Sequence, residues 1–140
     1  TVVIVIVCGS RDFDDYDLMY DCLRKLPNGV IGVRPSIVRH GAAAGADRIA
    51  DFLCRRILKL PVEPYPADWK SHDPECRCPA WADYCWRVGW RCNYDMIHAK
   101  PDAKPKLVLA FYSGKRTKGT GMMVDMAKHA LIPVEEFGLK

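Results

Sequence analysis

The feature that most constrains the fold is the stretch from Ile37 to Leu58, where a β-branched run, a turn of small residues and an amphipathic run follow one another without a break. Ser36-Ile37-Val38-Arg39 has the residue types of a strand. The turn His40-Gly41-Ala42-Ala43-Ala44-Gly45-Ala46-Asp47-Arg48 carries no large side chain between its ends except Asp47. Ile49, Ala50, Leu53, Ile57 and Leu60 then recur at helical spacing. A strand that enters a helix through such residues presents backbone N–H groups at the positive end of the helix dipole, where phosphate or carboxylate is favoured. The turn is therefore a candidate anion cradle, although small residues also serve tight helix-to-sheet packing. It is not a standard ATPase loop, because Ala46 and Asp47 follow Gly45 where a Walker A motif has Lys-Ser/Thr. Nor does it have the G-x-G-x-x-G spacing of a dinucleotide-binding turn.

The flanking segments extend the same alternation. Val2 to Val7 is a continuous β-branched run, as expected of a central parallel strand buried on both faces. It ends at Cys8-Gly9-Ser10-Arg11-Asp12-Phe13, where Gly9 and Ser10 allow a sharp turn. Arg11 there either makes a two-pronged phosphate contact or pairs with a neighbouring aspartate. Asp14 or Asp15 caps a helix to about Leu26 with Met19, Cys22, Leu23 and Leu26 as its apolar face, and a linker from Gly29 to Pro35 leads into the second strand. Leu60 to Tyr65 reads as a short third strand, near an edge because prolines interrupt it. A short helix is expected from about Asn93 to Ala99, then a strand from Leu107 to Phe111. A second glycine-rich turn follows, Tyr112-Ser113-Gly114-Lys115-Arg116-Thr117-Lys118-Gly119-Thr120-Gly121. The pattern closes with a helix from Met122 to Ala130 and a last strand at Ile132-Pro133-Val134. This βαβ alternation implies an α/β fold with an open parallel sheet, flanking helices and right-handed crossovers.

Three turns then fall at the carboxyl ends of parallel strands, around Gly9 to Arg11, Gly41 to Arg48 and Gly114 to Thr120. In open parallel sheets that edge is where ligands bind. Backbone amides around Gly9, Gly41 to Gly45 (Ala44 included) and Gly119 to Thr120 would hold phosphate. Ser10 and Thr120 would supply hydroxyls, Arg11 a cation, and Asp47 or Arg48 would orient the loop or a ribose.

A chain of 140 residues, 49% hydrophobic and 27% charged, suits one domain over 1–140. The run Val2 to Cys8 lacks a basic leader, so it reads as a buried strand of a cytoplasmic protein with mostly reduced thiols. No stretch approaches the ~20 apolar residues of a membrane-spanning helix, so no membrane partner is expected. A net charge of +4 and a pI near 8.7 suit an anionic ligand. The basic region Lys100, Lys104, Lys106, Lys115, Arg116 and Lys118 keeps nucleic acid open as an alternative partner.

Residues 73–92 differ in texture, with four of the seven cysteines (Cys76, Cys78, Cys85, Cys92), three tryptophans (Trp81, Trp86, Trp90) and little periodicity. They read as a Cys/Trp-rich loop excursion from the sheet. Cys76, Cys78, Cys85 and either Cys92 or His72 could form a closed structural zinc site, the alternative being free thiols packed among the tryptophans.

Several of these segments together resemble a known family. Gly9-Ser10-Arg11-Asp12-Phe13, His40-Gly41-x-x-x-Gly45-Ala46-Asp47-Arg48-x-Ala50, Pro66-Ala67-Asp68-Trp69, Asn93-x-x-Met96 and Ala110-Phe111 with Gly119-Thr120 are similar, in order and spacing, to the YspA/YpsA-related branch of the SLOG superfamily. That superfamily also contains the DprA/Smf DNA-processing proteins, the LOG phosphoribohydrolases and molybdenum-cofactor carrier-like proteins, and such members are frequent in bacteria and phages. The resemblance implies a Rossmann-like sheet, a pocket for a nucleotide or nucleotide derivative, and a homodimer as a family-level expectation. It also implies two alternatives, a nucleoside-monophosphate phosphoribohydrolase-like enzyme and a DprA-like nucleic-acid binder. The family's Arg-Asn pair is replaced by Cys92-Asn93, with Arg91 one place earlier, and its Gly-Gly-Thr by Lys118-Gly119-Thr120. Met122 and Met123 stand where LOG-type hydrolases carry the glutamate of glycosidic cleavage, and a methionine cannot act as a carboxylate.

Overall fold

A computed structural model describes residues 2–29, 35–79, 81–82 and 85–140. Most of the predicted linker from Gly29 to Pro35 lies outside the described residues. The elements run β1 (Val3–Gly9), α1 (Tyr16–Leu23), β2 (Ser36–His40), α2 (Ala46–Phe52), β3 (Val62–Pro64), α3 (Trp86–His98), β4 (Leu107–Gly114), α4 (Lys118–His129) and β5 (Val134–Leu139). All neighbouring strands pair in parallel, in the order β3-β2-β1-β4-β5. This is the Rossmann-like α/β arrangement expected from the alternation. Proline-bearing β3 lies at an edge, where missing N–H donors are tolerated.

Two cores explain the unbroken apolar run of β1. Val5 and Val7 pack on one face with Met19, Leu23, Ile49, Ala50 and Leu53 of the α1 and α2 side. Ile6 and Cys8 point to the other face, against Met96 and Ile97 of α3 and Met123, Val124 and Ala127 of α4. Period-two alternation along a strand therefore has no polar side to show.

Several boundaries differ from expectation for local reasons. Helix α1 stops at Leu23, and Leu26 remains packed against the core through a turn closed by its amide on the Leu23 carbonyl (3.1 Å). After α2 the chain widens into a π-helical stretch, Leu53–Leu58, ended by left-handed Lys59. Helix α3 begins at Trp86, seven residues before the expected start, so the excursion is a loop only over its first part. Its first two turns carry arginines, tryptophans and Gly89 and show no apolar stripe, because Met96 and Ile97 near its end supply the buried face. Helix α4 starts at Lys118, despite Gly119 and Gly121, behind Thr117 as its N-cap. The last strand is Val134–Leu139, not Ile132 to Val134, since Ile132 closes α4 instead, its amide on the Ala127 carbonyl (2.9 Å). Among the described residues no helix is long and apolar enough to cross a membrane.

Candidate functional site

The first two crossovers carry the chain from β1 outward to β2 and β3, and β4 then returns to the other side of β1. The crevice outside the carboxyl ends of β1 and β4 is thus the switch point of the sheet, where turns on either side diverge and leave room. The Gly9–Arg11 turn is its hub. The Ser10 amide donates to the Phe111 carbonyl (2.9 Å), and the Ser10 hydroxyl accepts from the Ser113 amide (3.3 Å), tying β1 to β4. The Ser10 carbonyl accepts from the Ala46 amide (3.2 Å) at the start of α2. Gly45 sits so close that a Cβ there would lie 2.3 Å from the Ser10 oxygen, and it has φ +78°. Three turns far apart in sequence are joined through one buried serine.

The Gly41–Gly45 turn is less bare than its composition suggested. One carboxylate oxygen of Asp47, Oδ2, accepts from the amides of Gly41 (3.1 Å) and Ala43 (3.2 Å), while the Ala42 amide donates to His40 Nδ1 (3.0 Å). Asp47 therefore shapes the loop from within, beyond complementing the helix dipole. Its other oxygen is buried with no hydrogen-bond partner among the described residues. Burial pushes the Asp47 carboxyl up to about 6, against the opposing pull of the Ala43 amide, His40, the Gly41 amide and Arg11. His40 Nε2 lies 2.7 Å from Asp51, which also receives Arg55 Nε (2.8 Å). Arg48 is exposed beside this pair, on the wall of an open cavity of about 410 Å³ that also includes Phe52, Arg55 and Arg56.

Across the crevice, the first turn of α4 offers unspent N–H groups, because intrahelical bonding begins with the Gly121 amide on the Thr117 carbonyl (2.8 Å). Gly119 is exposed with nothing within 4 Å of a Cβ position. Asn93 of α3 reaches this turn, its Nδ2 donating to the Gly119 carbonyl (3.3 Å). Thr120 is only 5% exposed, so its side chain belongs to the packing of α4 more than to the open crevice. The loop before α4 is braced by Glu136, which accepts from Tyr112 (2.7 Å) and from both Nε and an Nη of Arg116 (2.9 and 2.8 Å). These bonds, Arg116 first and Tyr112 second, pull the Glu136 carboxyl down to about 2.

Arg11 is exposed, and its guanidinium lies 5.7 Å from the centroid of the Trp69 ring. Trp69 in turn packs on α3 at Gly89, where a Cβ would fall 2.4 Å from the indole, and its carbonyl accepts from the Cys85 amide (2.9 Å). Cys85, fully buried, is the N-cap residue of α3.

The cysteine cluster gathers here. His72, Cys76, Cys78 and Cys85 present one donor atom each within 4.8 Å of one another and can hold a metal ion. Cys76 Sγ is 3.4 Å from His72 Nδ1, and Cys78 Sγ is 3.7 Å from Cys85 Sγ. His72 Nε2 donates to the Ala82 carbonyl (2.8 Å), which leaves the Nδ1 lone pair facing the thiols. Burial pushes the Cys85 thiol up, but the amides of Asp73, Val88 and Arg87 and the Cys78 thiol outweigh it and bring it to about 6. Cys92 does not join the group: its thiol donates to the Tyr65 carbonyl (2.7 Å), and burial, with Asp47 and Asp95 nearby, pushes it up to about 11. Of the two options for a fourth donor, the structure brings in His72. Arg91, next to Cys92 on α3, faces Asp73 (3.5 Å) and not the crevice.

Sequence reasoning missed Arg39. It is fully buried in β2, with Nε on Glu63 (2.8 Å) and an Nη on the Met96 carbonyl (2.8 Å), so it ties β2, β3 and α3 together behind the site. Glu63 also receives Lys100 (2.6 Å). An arginine in a strand-like run carries no local signal for this, since its partners lie 24 and 57 residues away. The basic region is correspondingly less free than its composition suggests: Lys100, Lys104 and Arg116 are each bonded to Glu63, the Ala130 carbonyl and Glu136 respectively.

A family model described as the YspA, cpYpsA-related SLOG family matches residues 3–72. The chain is also similar to the Gene 61 protein of Mycobacterium phage D29, at 31% identity over 144 residues that cover 97% of each chain. No solved structure gives a significant match.

Proposed function

Because this chain belongs to the YspA, cpYpsA-related SLOG family, we propose that it binds a nucleotide or nucleotide derivative, with the phosphate in the crevice outside β1 and β4. The observation that carries this reading is the joining of three glycine-bearing turns by Ser10 at the switch point of the sheet. Such a crevice combines unspent amides with a shape that admits a small ligand. The amides of Lys118, Gly119 and Thr120 are the natural phosphate donors, at the positive end of a 12-residue helix. Ser10, only 2% exposed, serves by joining the turns through its bond to Ser113, and exposed Arg11 adds charge. Asp47, by holding the Gly41 and Ala43 amides, keeps the facing turn in shape.

Binding is favoured over N-glycosidic cleavage. Met123 is buried in the core and Met122 stands beside it, so the helix after Thr120 offers no carboxylate at those places. Calorimetric titration with nucleoside mono- and diphosphates tests the reading, with chromatography of the same mixtures for released base. Submillimolar binding without base release is expected, and Arg11→Ala should lose roughly 1.5–3 kcal/mol of it. Absence of binding across the series would remove the crevice from consideration, and unchanged affinity in Arg11→Ala would remove Arg11 from the site.

Zinc is the metal this reading assigns to the His72, Cys76, Cys78 and Cys85 cluster. Bonds of about 2.3 Å to sulfur and 2.1 Å to nitrogen put the donors of a tetrahedral zinc about 3.8 Å (S to S) and about 3.6 Å (S to N) apart. The separations of 3.7 Å for Cys78 and Cys85 and 3.4 Å for Cys76 and His72 are close to those edges. A ligand set of three thiolates and one imidazole leaves no open position, so the role is structural.

A further inference from the structure

Resting on the nucleotide and zinc readings above, we propose that the metal clip regulates the ligand crevice, by holding Trp69 in the position where its ring supports Arg11. The connection is continuous. Cys85 is both a member of the metal cluster and the residue whose amide binds the Trp69 carbonyl (2.9 Å). One turn into α3, Gly89 is the flat seat of the Trp69 indole, since any Cβ would lie 2.4 Å from the ring. The opposite end of the contact is Arg11, whose guanidinium stands 5.7 Å from the ring centroid and whose charge also reaches Asp47. A cation placed over an indole gives up much of its freedom, so Arg11 is pre-positioned for phosphate only while Trp69 is held.

Residues 72–79 contain turns and irregular backbone but no helix or strand. Their links to α3 include ion pairs of Asp73 with Arg87 (3.4 Å) and Arg91 (3.5 Å) and of Glu75 with Arg87 (2.8 Å). The pairs that reach exposed Glu75 and Arg91 contribute little, which leaves the sheltered Asp73–Arg87 pair as the one firm tie, and four metal bonds would supply much of the remaining order. Release of the metal loosens Cys85, whose amide holds the Trp69 carbonyl, and with it the ring beside Arg11. The crevice thereby acquires an affinity that depends on the state of a site outside it.

The test uses the full chain purified without chelator and 5′-AMP as the probe. Elemental analysis should give one zinc per chain, and replacement by cobalt(II) should give the absorption of a tetrahedral thiolate site. Stripping the metal should weaken AMP binding at least tenfold and speed amide exchange over residues 9–13 and 66–71, as well as over 72–85. Gly89→Ala leaves all four ligands in place. It should keep the cobalt spectrum yet weaken AMP at least fivefold and speed exchange at residues 9–13. This variant decides the matter if stripping unfolds the protein. Absence of stoichiometric metal together with no thiolate cobalt spectrum overturns the proposal. So does exchange at residues 9–13 that stays unchanged in Gly89→Ala. If the zinc-loaded protein does not bind AMP, the nucleotide reading fails for that probe, while exchange at residues 9–13 still decides the coupling.

Discussion

Replacement of Gly45 by alanine is the sharpest test of how the crevice is built. Gly45 lies where the β2 turn is stacked directly on the backbone of the β1 turn. A Cβ there would be 2.3 Å from the Ser10 oxygen and 2.6 Å from the Arg11 carbonyl carbon and oxygen. None of these atoms can yield by a rotamer change, because Ser10 is pinned to Phe111, Ser113 and Ala46. The residue also has φ +78° and ψ −126°, a conformation suited to glycine. Overpacking costs ~1–3 kcal/mol and the strained backbone another ~1–3 kcal/mol, so the expected loss is about 4 kcal/mol. With a urea dependence of ~2 kcal/mol per molar, the unfolding midpoint should fall by ~2 M. Two companion variants divide the causes. Gly45→Asn brings the same Cβ, and the tolerance of asparagine for positive φ is confined to left-handed helical ψ, far from −126°, so it should be as unstable as Gly45→Ala. Gly119→Ala meets nothing within 4 Å in the first turn of α4, so its stability should be unchanged or raised by up to ~1 kcal/mol. A midpoint shift in Gly45→Ala below ~0.5 M, or full recovery in Gly45→Asn, would refute the argument that the two turns are locked backbone to backbone.

Asp47 and Arg39 give two further tests. Since the native Asp47 carboxyl is raised from its ordinary range to about 6, the folded state holds that proton more tightly than the unfolded chain. Its contribution to stability is therefore lost as pH rises from about 4 to 6 and stays lost above. Asp47→Asn removes this slope, so the stability of wild type relative to the variant should decline across that window by ~2–3 kcal/mol in urea titrations. Parallel profiles would show that Asp47 titrates normally. Glu63→Ala leaves the buried Arg39 guanidinium with the Met96 carbonyl as its one hydrogen-bond partner among the described residues, and should cost about 3 kcal/mol. Arg39→Met combined with Glu63→Ala should cost clearly less than the sum of the single changes; simple additivity would mean the pair is not coupled.

Much of the architecture is legible in the residues because β1 and β4 are buried on both faces and so read as nearly unbroken apolar runs, while β2 shows its strand character through Ile37 and Val38. The prolines of β3 likewise announce an edge. Helix α3 is read too short because its first half packs through Gly89 against an indole rather than through an apolar stripe. The candidate turns are visible as glycine clusters, but not which amides remain free. That depends on Asp47 folding back onto Gly41 and Ala43, and on whether a helix such as α4 begins in the turn or after it. Spacing brings Cys76, Cys78 and Cys85 forward as a group but cannot choose between His72 and Cys92. Cys92 lies about two turns further along α3 than Cys85, with the Tyr65 carbonyl as its partner.

By itself, then, the sequence determined the order of strands and helices, the parallel sheet and the presence of three small-residue turns, because these follow from periodicity and steric size within short windows. Only the tertiary structure decided that Ser10 joins the turns, that Arg39 is buried against Glu63, that His72 completes the thiol cluster and that Trp69 lies between that cluster and Arg11. Each of these depends on atoms brought together across dozens of residues by strand order. No local pattern encodes which distant carbonyl, carboxylate or ring a side chain will meet once the sheet has closed the distance.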